Sequence, residues 1–191
     1  MSRGHHCRSS TDQAYEVLNS VPAAAKDPCP RCPDDIHELW SWWIGRGAFP
    51  GETDGYPFGS HFHVLKTYWE FRHLPNLLLL HYNDLKTNLD GEMRRVSAFL
   101  EIDVNEAIWP TLVEAATFAA MKRDGEMLVP ETAMIFAGGS QTFINKGTND
   151  RWRDVLTPTE IAQYEAVVGK LDPALARWIE RGREGRDPRT M

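Results

Sequence analysis

A lysine followed by a glycine stands in the polar segment 143–153, and this pair of residue types suits the binding of a phosphate group. Glycine lets backbone N–H groups come close to phosphate oxygens, and the ammonium group of Lys146 supplies positive charge beside Gly147. A Lys-Gly pair is also common in ordinary basic surface turns. The segment alone therefore leaves two interpretations open, a phosphate contact and a solvated turn.

A second set of residues that could do chemistry lies near the N-terminus. Cys29 and Cys32 are separated by two residues, and two histidines and a cysteine stand at positions 5–7. Zinc needs about four ligands in a closed shell, and here they would have to be gathered from both ends of a predicted helix. A dithiol redox pair is expected to open a helix after a strand, whereas residues 22–33 are a proline-rich loop. We therefore expect no metal and no redox pair.

The elements that position these residues are mostly helical. Apolar residues recur at three- and four-residue spacing in several segments, and this period predicts amphipathic helices. The predicted helices cover residues 10–21, 34–44, 61–72, 91–100, 105–122, 158–171 and 173–181. Pro110 is expected to kink or restart the helix that contains it.

One segment predicts a β-strand instead. Residues 76–82 include four consecutive leucines, and a continuous apolar run is typical of a strand that is buried on both faces in a parallel sheet. Ligands of open α/β sheets collect where strands end, so residues 82–86 are a candidate site. The glycines, prolines and aromatic residues of segment 45–60 indicate a shaped loop beside a pocket.

Composition and charge restrict the partners. The chain has 191 residues, of which 42% are hydrophobic, and its 21 basic and 27 acidic side chains give a net charge of -6. Such a mildly acidic surface gives no electrostatic reason to expect nucleic acid or an anionic membrane. The apolar run 77–80 is far shorter than the roughly 20 residues that span a bilayer, and the polar start lacks the apolar stretch of a signal peptide. We therefore expect a cytoplasmic protein without nucleic-acid or membrane partners.

Segment 143–153 resembles the part of cytosolic-type sulfotransferases that closes their nucleotide site, which has the form Phe-x-Arg-Lys-Gly-x-x-Gly-Asp-Trp-Lys. The residues that fall in register with this pattern are Phe143, Lys146, Gly147 and Trp152. Arg153 keeps the charge of the final lysine, and Asp150 and Arg151 replace Gly-Asp. Asn145 stands where the family has an arginine that contacts the ribose-linked phosphate.

Two earlier segments resemble the same family in the same order, so that the similarity covers about residues 60–178. Residues 77–86 look like an apolar strand ending in Tyr-Glu-Asp-Leu-Lys, and Tyr82 matches the tyrosine that lies near the adenine. Residues 116–122 resemble Thr-Ser-Phe-x-x-Met-Lys, in which the phenylalanine packs on the adenine ring. Singly, Tyr82 could cap a buried strand and Phe118 could be a core aromatic.

The resemblance implies an α/β, P-loop NTPase-like sulfotransferase fold, truncated and helix-rich in this chain. It implies transfer of a sulfuryl group from 3′-phosphoadenosine 5′-phosphosulfate (PAPS) to a hydroxyl or amine of a small acceptor, without a metal. The nucleotide-binding residues it implies are Tyr82, Thr117, Phe118, Asn145, Lys146 and Gly147. No Gly-x-x-x-x-Gly-Lys-Ser/Thr motif occurs in the sequence, so we expect the chain to be inactive as an isolated fragment.

We expect the whole chain, residues 1–191, to be a single partial sulfotransferase domain. A helix and a proline-rich loop occupy residues 10–33, and the core covers residues 34–181. The charged residues 182–191, which include glycine and proline, are expected to form a flexible tail.

Three residues are candidates for contact with the acceptor, because they lie in the aromatic loop or directly after it: Tyr56, Phe58 and His61. No catalytic base is assigned, since no histidine stands at the family's base position. His81 lies within an apolar segment and is interpreted as a hydrogen-bonded structural histidine.

A non-catalytic protein is the alternative. A sulfotransferase-like remnant could bind a nucleotide, or bind another protein through an aromatic surface. That surface would consist of Trp40, Trp42, Trp43, Tyr68 and Trp69.

A homodimer is possible, but the sequence does not support it. Family members often dimerise through the pattern Lys-x-x-x-Thr-Val-x-x-x-Glu. Arg153 and Thr157 fit this pattern, whereas Pro158 and Ala162 do not.

Overall fold

The computed structural model describes residues 33–191, so the predicted N-terminal helix and the pair Cys29 and Cys32 lie outside the described residues. The described part is built from helices joined by short loops. In chain order they are α1 (Ile36–Gly45), α2 (His61–Glu70), α3 (Tyr82–Thr87), α4 (Leu89–Phe99), α5 (Trp109–Ala115), α6 (Phe118–Arg123), α7 (Gly125–Leu128), α8 (Thr132–Ile135), α9 (Gly139–Phe143), α10 (Pro158–Val168) and α11 (Pro173–Arg181). Single 3₁₀ turns lie at Arg151–Asp154 and Pro188–Thr190.

The helix predictions are largely confirmed, with one correction. Pro110 lies in the first turn of α5, where its missing N–H costs nothing. The predicted helix 105–122 is interrupted after Ala115, because the Thr117 hydroxyl accepts a hydrogen bond from Ala120 N at 3.2 Å and so starts α6 as a new helix.

The predicted strand in residues 76–82 is wrong. Residues 77–81 have no regular structure, and Tyr82 is already the first residue of α3. A strand requires a hydrogen-bonded neighbour, and within residues 33–191 the one β-bridge joins Gly47 to Gly55. The helix-rich character that we expected is confirmed.

The chain divides into two compact units, and each unit combines two separate stretches of sequence. The first unit contains the described residues up to Phe62 together with Asp124–Glu165. The second unit contains His63–Arg123 and Ala166–Met191.

The core of the first unit is rich in aromatic rings. Leu39 and Ile44 are buried on one side of α1, where the three- and four-residue spacing predicted an apolar stripe. Phe62 is buried, and its ring lies 5.8 Å from that of Trp43 and 6.2 Å from that of Tyr164. Tilted ring pairs at such distances add to the stabilisation from burial.

The core of the second unit forms where α2 and α11 contribute buried tryptophans. Trp69 and Trp178 lie with ring centroids 5.8 Å apart, and Leu175 is only 1% exposed. The residues packed around them are Leu65, Leu79, Leu171, Ala174, Ile179 and Met191. Asp172 caps α11 by accepting hydrogen bonds from the backbone N–H groups of the first turn.

Residues 182–191, predicted as a flexible tail, make specific contacts in the second unit. The Arg72 guanidinium donates to the carbonyl oxygens of Pro188 and Met191 at 2.9 and 2.5 Å. The same guanidinium lies 4.4 Å from the centroid of the Trp69 ring.

No helix within the described range is long and apolar enough to cross a membrane.

Acid is expected to weaken the start of α10 in the first unit. Glu160 accepts hydrogen bonds from Thr157 N at 2.7 Å and from His37 Nδ1 at 2.8 Å. Desolvation raises the pKa of Glu160, but the hydrogen bonds from Thr157 and His37 outweigh it and the net pKa is lowered. A carboxylate with a lowered pKa stabilises the fold above its unfolded pKa of about 4.3, and this stabilisation is lost as the pH falls through the folded value.

The Glu160→Gln variant keeps the shape of the side chain but cannot titrate. We expect it to be less stable than the wild type near neutral pH by on the order of 1 kcal/mol, with the gap closing in acid. Urea unfolding at a series of pH values measures this. A gap that stays constant across the series would contradict the prediction.

Candidate functional site

The Lys-Gly segment lies in the first unit, directly after α9. Residues 145–150 are irregular, and the 3₁₀ turn Arg151–Asp154 follows. Gly147 has φ +60°, in the left-handed region that glycine adopts without strain. Asp150 also lies in this region, with φ +61°.

The Lys146 side chain is accessible in this loop. Lys146 is exposed, and its ammonium group has no ion-pair partner among the described residues. Asn145 and Gly147 are half-buried beside it. Nearby, the Arg153 guanidinium lies 4.7 Å from the centroid of the Trp152 ring. The loop therefore presents a positive charge to solvent next to a half-buried glycine in the left-handed conformation.

Tyr82, predicted to lie near an adenine, begins α3 in the second unit. Its side chain is 48% exposed, and the Lys86 ammonium lies 5.9 Å from its ring centroid. The preceding His81 caps the helix, because its Nδ1 accepts a hydrogen bond from Asn83 N at 3.1 Å. The Tyr82 ring is thus available for contact with a flat ligand.

Thr117 and Phe118 also lie in the second unit. The Thr117 hydroxyl donates to Glu114 O at 2.8 Å and caps α6, so its hydrogen-bonding capacity is already used locally. Phe118 is the first residue of α6 and is half-buried. The structure therefore places two of the predicted nucleotide-binding segments in the second unit and the Lys-Gly segment in the first.

The aromatic loop before α2 is held in a defined shape within the first unit. The Tyr56 amide donates to Arg46 O at 3.0 Å, and the Gly55 amide donates to Trp43 O at 2.7 Å. The Arg46 guanidinium lies 4.2 Å from the centroid of the Tyr56 ring. Phe58 is 55% exposed on the same loop. The expectation of a shaped loop is confirmed.

A buried aspartate that the sequence analysis missed connects this loop to α2. Asp54 is 3% exposed and accepts hydrogen bonds from Ser60 Oγ at 2.5 Å and from Phe62 N at 3.1 Å. It therefore acts as a remote cap for the helix that starts at His61. The available signal was an aspartate in an aromatic loop six residues before a serine at a helix start.

The His61 ring packs against the rings of Trp43 and Phe62, at centroid distances of 5.9 and 5.7 Å. Although part of the residue is exposed, burial against its neighbours lowers the pKa of His61, and the negative charge of Asp54 acts in the opposite direction. The lowered pKa favours a neutral imidazole near pH 7. Such a ring can accept a proton or a hydrogen bond.

Alanine at position 55 is expected to disrupt the aromatic loop. A Cβ on Gly55 would lie 1.9 Å from Gly59 O, and Gly55 has φ +88°. Gly51 is the matched control, since it has φ +92° with open space around its Cβ position. We expect Gly55→Ala to lower the free energy of unfolding by about 1–3 kcal/mol more than Gly51→Ala. Equal losses in thermal unfolding would show that the close approach to Gly59 is unimportant.

The proposed aromatic interaction surface needs correction. Trp40 and Trp69 are 8% and 4% exposed, because they pack inside the first and second unit respectively. Tyr68 is 53% exposed, but a surface that depends on all five aromatic residues is not present.

The interpretation of His81 as a structural histidine is confirmed. Its Nε2 lies 2.9 Å from Ile179 O, and its ring stands edge-on to Trp178 with centroids 5.2 Å apart. No group of three or more potential metal ligands occurs in the part of the chain that is described.

Comparison with known proteins identifies the family. The family described as Sulfotransferase domain matches residues 49–178. A glycolipid sulfotransferase of Mycobacterium bovis is 32% identical over 127 residues, which are 66% of this chain and 39% of that protein. Sulfotransferase 1B1 of Mus musculus is 31% identical over 115 residues, or 59% of this chain and 38% of that protein.

A more distant match is the luciferin sulfotransferase of Photinus pyralis, 26% identical over 121 residues, which cover 56% of this chain and 30% of that protein. No solved structure gives a significant match. The aligned part of this chain thus spans 39% of the length of the first curated relatives. Since the family match covers most of the sequence and contains each of the three resembling segments, the chain belongs to the sulfotransferase family.

Proposed function

We propose that this chain binds the nucleotide of PAPS and takes part in transfer of a sulfuryl group to a hydroxyl or amine of a small acceptor. The observation that carries the proposal is the accessible ammonium group of Lys146 beside Gly147, whose φ is +60°, within the family match. An exposed cation next to a glycine backbone suits a phosphate group. PAPS supplies the sulfuryl group when it is bound.

Each candidate residue has a distinct role in this proposal. Lys146 neutralises phosphate charge, and Gly147 lets the backbone approach it. Asn145 offers an amide to the ribose-linked phosphate. Two further residues, Tyr82 and Phe118, offer ring faces to the adenine, and stacking of a base on an aromatic ring contributes about 1–3 kcal/mol.

Thr117 is the weakest of the proposed nucleotide contacts, because its hydroxyl already caps α6.

We also propose an α/β, P-loop NTPase-like fold for the domain to which these residues contribute. We further propose a cytoplasmic location without nucleic-acid or membrane partners.

The acceptor side of the proposal rests on Tyr56, Phe58 and His61. The ring of Phe58 is exposed, and the low pKa of His61 favours an imidazole that can accept a hydrogen bond from an acceptor hydroxyl. Relatives are named for a glycolipid and for luciferin. Because those acceptors differ greatly, the loop rather than the nucleotide segments is the proposed source of acceptor choice.

We propose that the 191-residue chain alone does not catalyse transfer. Most of the rate of such reactions comes from alignment and from positive charge on the developing oxyanions. The sequence contains no Gly-x-x-x-x-Gly-Lys-Ser/Thr motif to hold the sulfate end of the donor. Incubation with radiolabelled PAPS and a phenolic acceptor should yield no sulfated product. Product formed in proportion to protein would overturn this part of the proposal.

Substitution of the exposed lysine tests the nucleotide site. Lys146→Ala is expected to weaken binding of phosphoadenosine phosphate about tenfold or more, because it removes a charge-assisted hydrogen bond. Lys170→Ala, at another exposed lysine outside the three segments, is the matched control and should bind as the wild type does. Equal affinity of all three proteins in calorimetric titration would exclude a role for Lys146.

A further inference from the structure

Within the second unit, the residues before and after Tyr82 at the start of α3 both form hydrogen bonds with the end of α11. His81 Nε2 lies 2.9 Å from Ile179 O. Asn83 Nδ2 donates to Glu180 O at 3.2 Å. The carbonyl oxygens of Ile179 and Glu180 lie in the last turn of α11, so no amide of the helix donates a hydrogen bond to them. The side chains of α3 therefore satisfy carbonyl groups that a helix end leaves open.

The two ring nitrogens of His81 have different roles. Nδ1 accepts from Asn83 N at 3.1 Å, so the ring carries its proton on Nε2 and donates it to Ile179 O. The ring also stands edge-on to the buried Trp178. One side chain thus starts α3 and fixes it to α11.

The segment after α11 is itself anchored. Asp84 Oδ2 accepts from Arg183 N at 2.9 Å. The Arg183 guanidinium donates to the buried carboxylate of Glu92 on α4 at 3.0 and 2.7 Å. Residues 179–183 therefore form a support that is bound by α3 on one side and by α4 on the other. We call these residues the α11 support.

The orientation of Tyr82 depends on this support. Helix α3 has six residues, far fewer than the roughly 12 needed for a helix that is stable by itself. The Tyr82 ring is 48% exposed and adds little burial of its own. The contacts of its neighbours therefore determine where its ring points.

We propose that His81 is a positioning residue for the nucleotide, which holds the Tyr82 ring in its binding orientation through the bond to Ile179 O. This inference rests on the proposed function. It assigns His81 no contact with the nucleotide and no part in proton transfer. Its effect on affinity must act through Tyr82.

Two substitutions separate the roles of the ring nitrogens in the full 191-residue chain. In His81→Gln the side-chain amide can reach the position of Nε2 and donate to Ile179 O. In His81→Asn the side-chain oxygen can replace Nδ1 as the helix cap, but Ile179 O loses its donor. We expect His81→Asn to weaken binding of phosphoadenosine phosphate about tenfold, and His81→Gln to stay within about threefold of the wild type.

A double-mutant cycle with Tyr82→Ala tests whether the effect passes through the ring. In the Tyr82→Ala background, His81→Asn is expected to change the affinity less than about twofold. Equal losses in both backgrounds, or wild-type affinity of the single His81→Asn variant, would overturn the inference. If His81→Asn does not fold, Asn83→Ala removes the contact to Glu180 O and enters the same cycle with a smaller expected loss.

Hydrogen exchange without nucleotide distinguishes this inference from the proposed function. Amides of α3 should exchange faster in His81→Asn than in His81→Gln, and equal rates would overturn the inference. No nucleotide binding by the wild type would overturn the proposed function and with it the role of His81. Binding by the wild type with additive losses in the cycle would overturn the inference alone.

Discussion

Glu92→Ala is expected to lower the free energy of unfolding by about 3–5 kcal/mol. The Glu92 carboxylate is 1% exposed and accepts from the guanidinium groups of Arg183 and Arg95. Removing it leaves two partly buried cations without the carboxylate that they share. An uncompensated charge in a poorly solvated place costs more than the pair contributed. The segment after α11 also loses its anchor on α4. Urea unfolding followed by circular dichroism measures the change.

Glu106 is the matched control for Glu92. It accepts two hydrogen bonds from the Arg94 guanidinium, at 2.7 and 2.9 Å, and Glu92 likewise accepts two from Arg183. Its side chain is 72% exposed, however, so water can replace the lost partner. We expect little change in stability from Glu106→Ala. Losses of similar size in the two variants would mean that burial does not determine the importance of Glu92.

Leu175→Ala is expected to have the second largest effect, a loss of about 2–5 kcal/mol. Leu175 is 1% exposed and lies in the cluster that contains Trp69 and Trp178. Truncation removes apolar contacts and leaves a cavity beside the rings of Trp69 and Trp178, which close packing allows to collapse only in part. Thermal unfolding monitored by tryptophan fluorescence reports on this cluster directly.

Leu112→Ala is the control for Leu175, because it removes the same atoms from a side chain that is 38% exposed on α5. Its expected cost is less than about 1 kcal/mol. If the two leucine variants lost equal stability, the tryptophan cluster would not be the core of the second unit.

The helices could be predicted from the sequence because their signals are local. Asp172 followed by Pro173 marks the start of α11, and the structure uses both residues as cap and first turn. Pro110 likewise lies at the start of α5. The break before α6 was missed because it depends on the hydrogen bond that the Thr117 hydroxyl accepts from Ala120 N. A threonine inside a continuous helix need not form such a bond, so the residue type alone does not reveal the break.

The strand could not be predicted in the same way, because a strand depends on a partner. The apolar run 77–80 indicates that its side chains are shielded from water, but it says nothing about a partner for its backbone. Strand pairing requires backbone groups from another segment, which the described part of the chain does not provide. Glu92 was missed for a related reason. Its pattern is that of a solvated helix position. Arg95 lies on the same helix, but the second cation that makes the burial of Glu92 favourable is Arg183, far away in sequence.

The candidate site divides along similar lines. The accessible Lys146 and the conformation of Gly147 follow from a short loop whose residue types are informative. The use of Asp54 as a remote cap, and the support of α3 by α11, depend on contacts between distant segments. Sequence patterns were therefore a better guide to the groups that face solvent than to the residues that hold those groups in place.

Calorimetric titration of the 191-residue chain with phosphoadenosine phosphate tests the central claim most directly, with adenosine monophosphate as the comparison ligand. The account predicts saturable binding to a single class of sites, with weaker binding of the monophosphate because it lacks the ribose-linked phosphate. A cooperatively folded chain that releases no heat of binding with either nucleotide would contradict it.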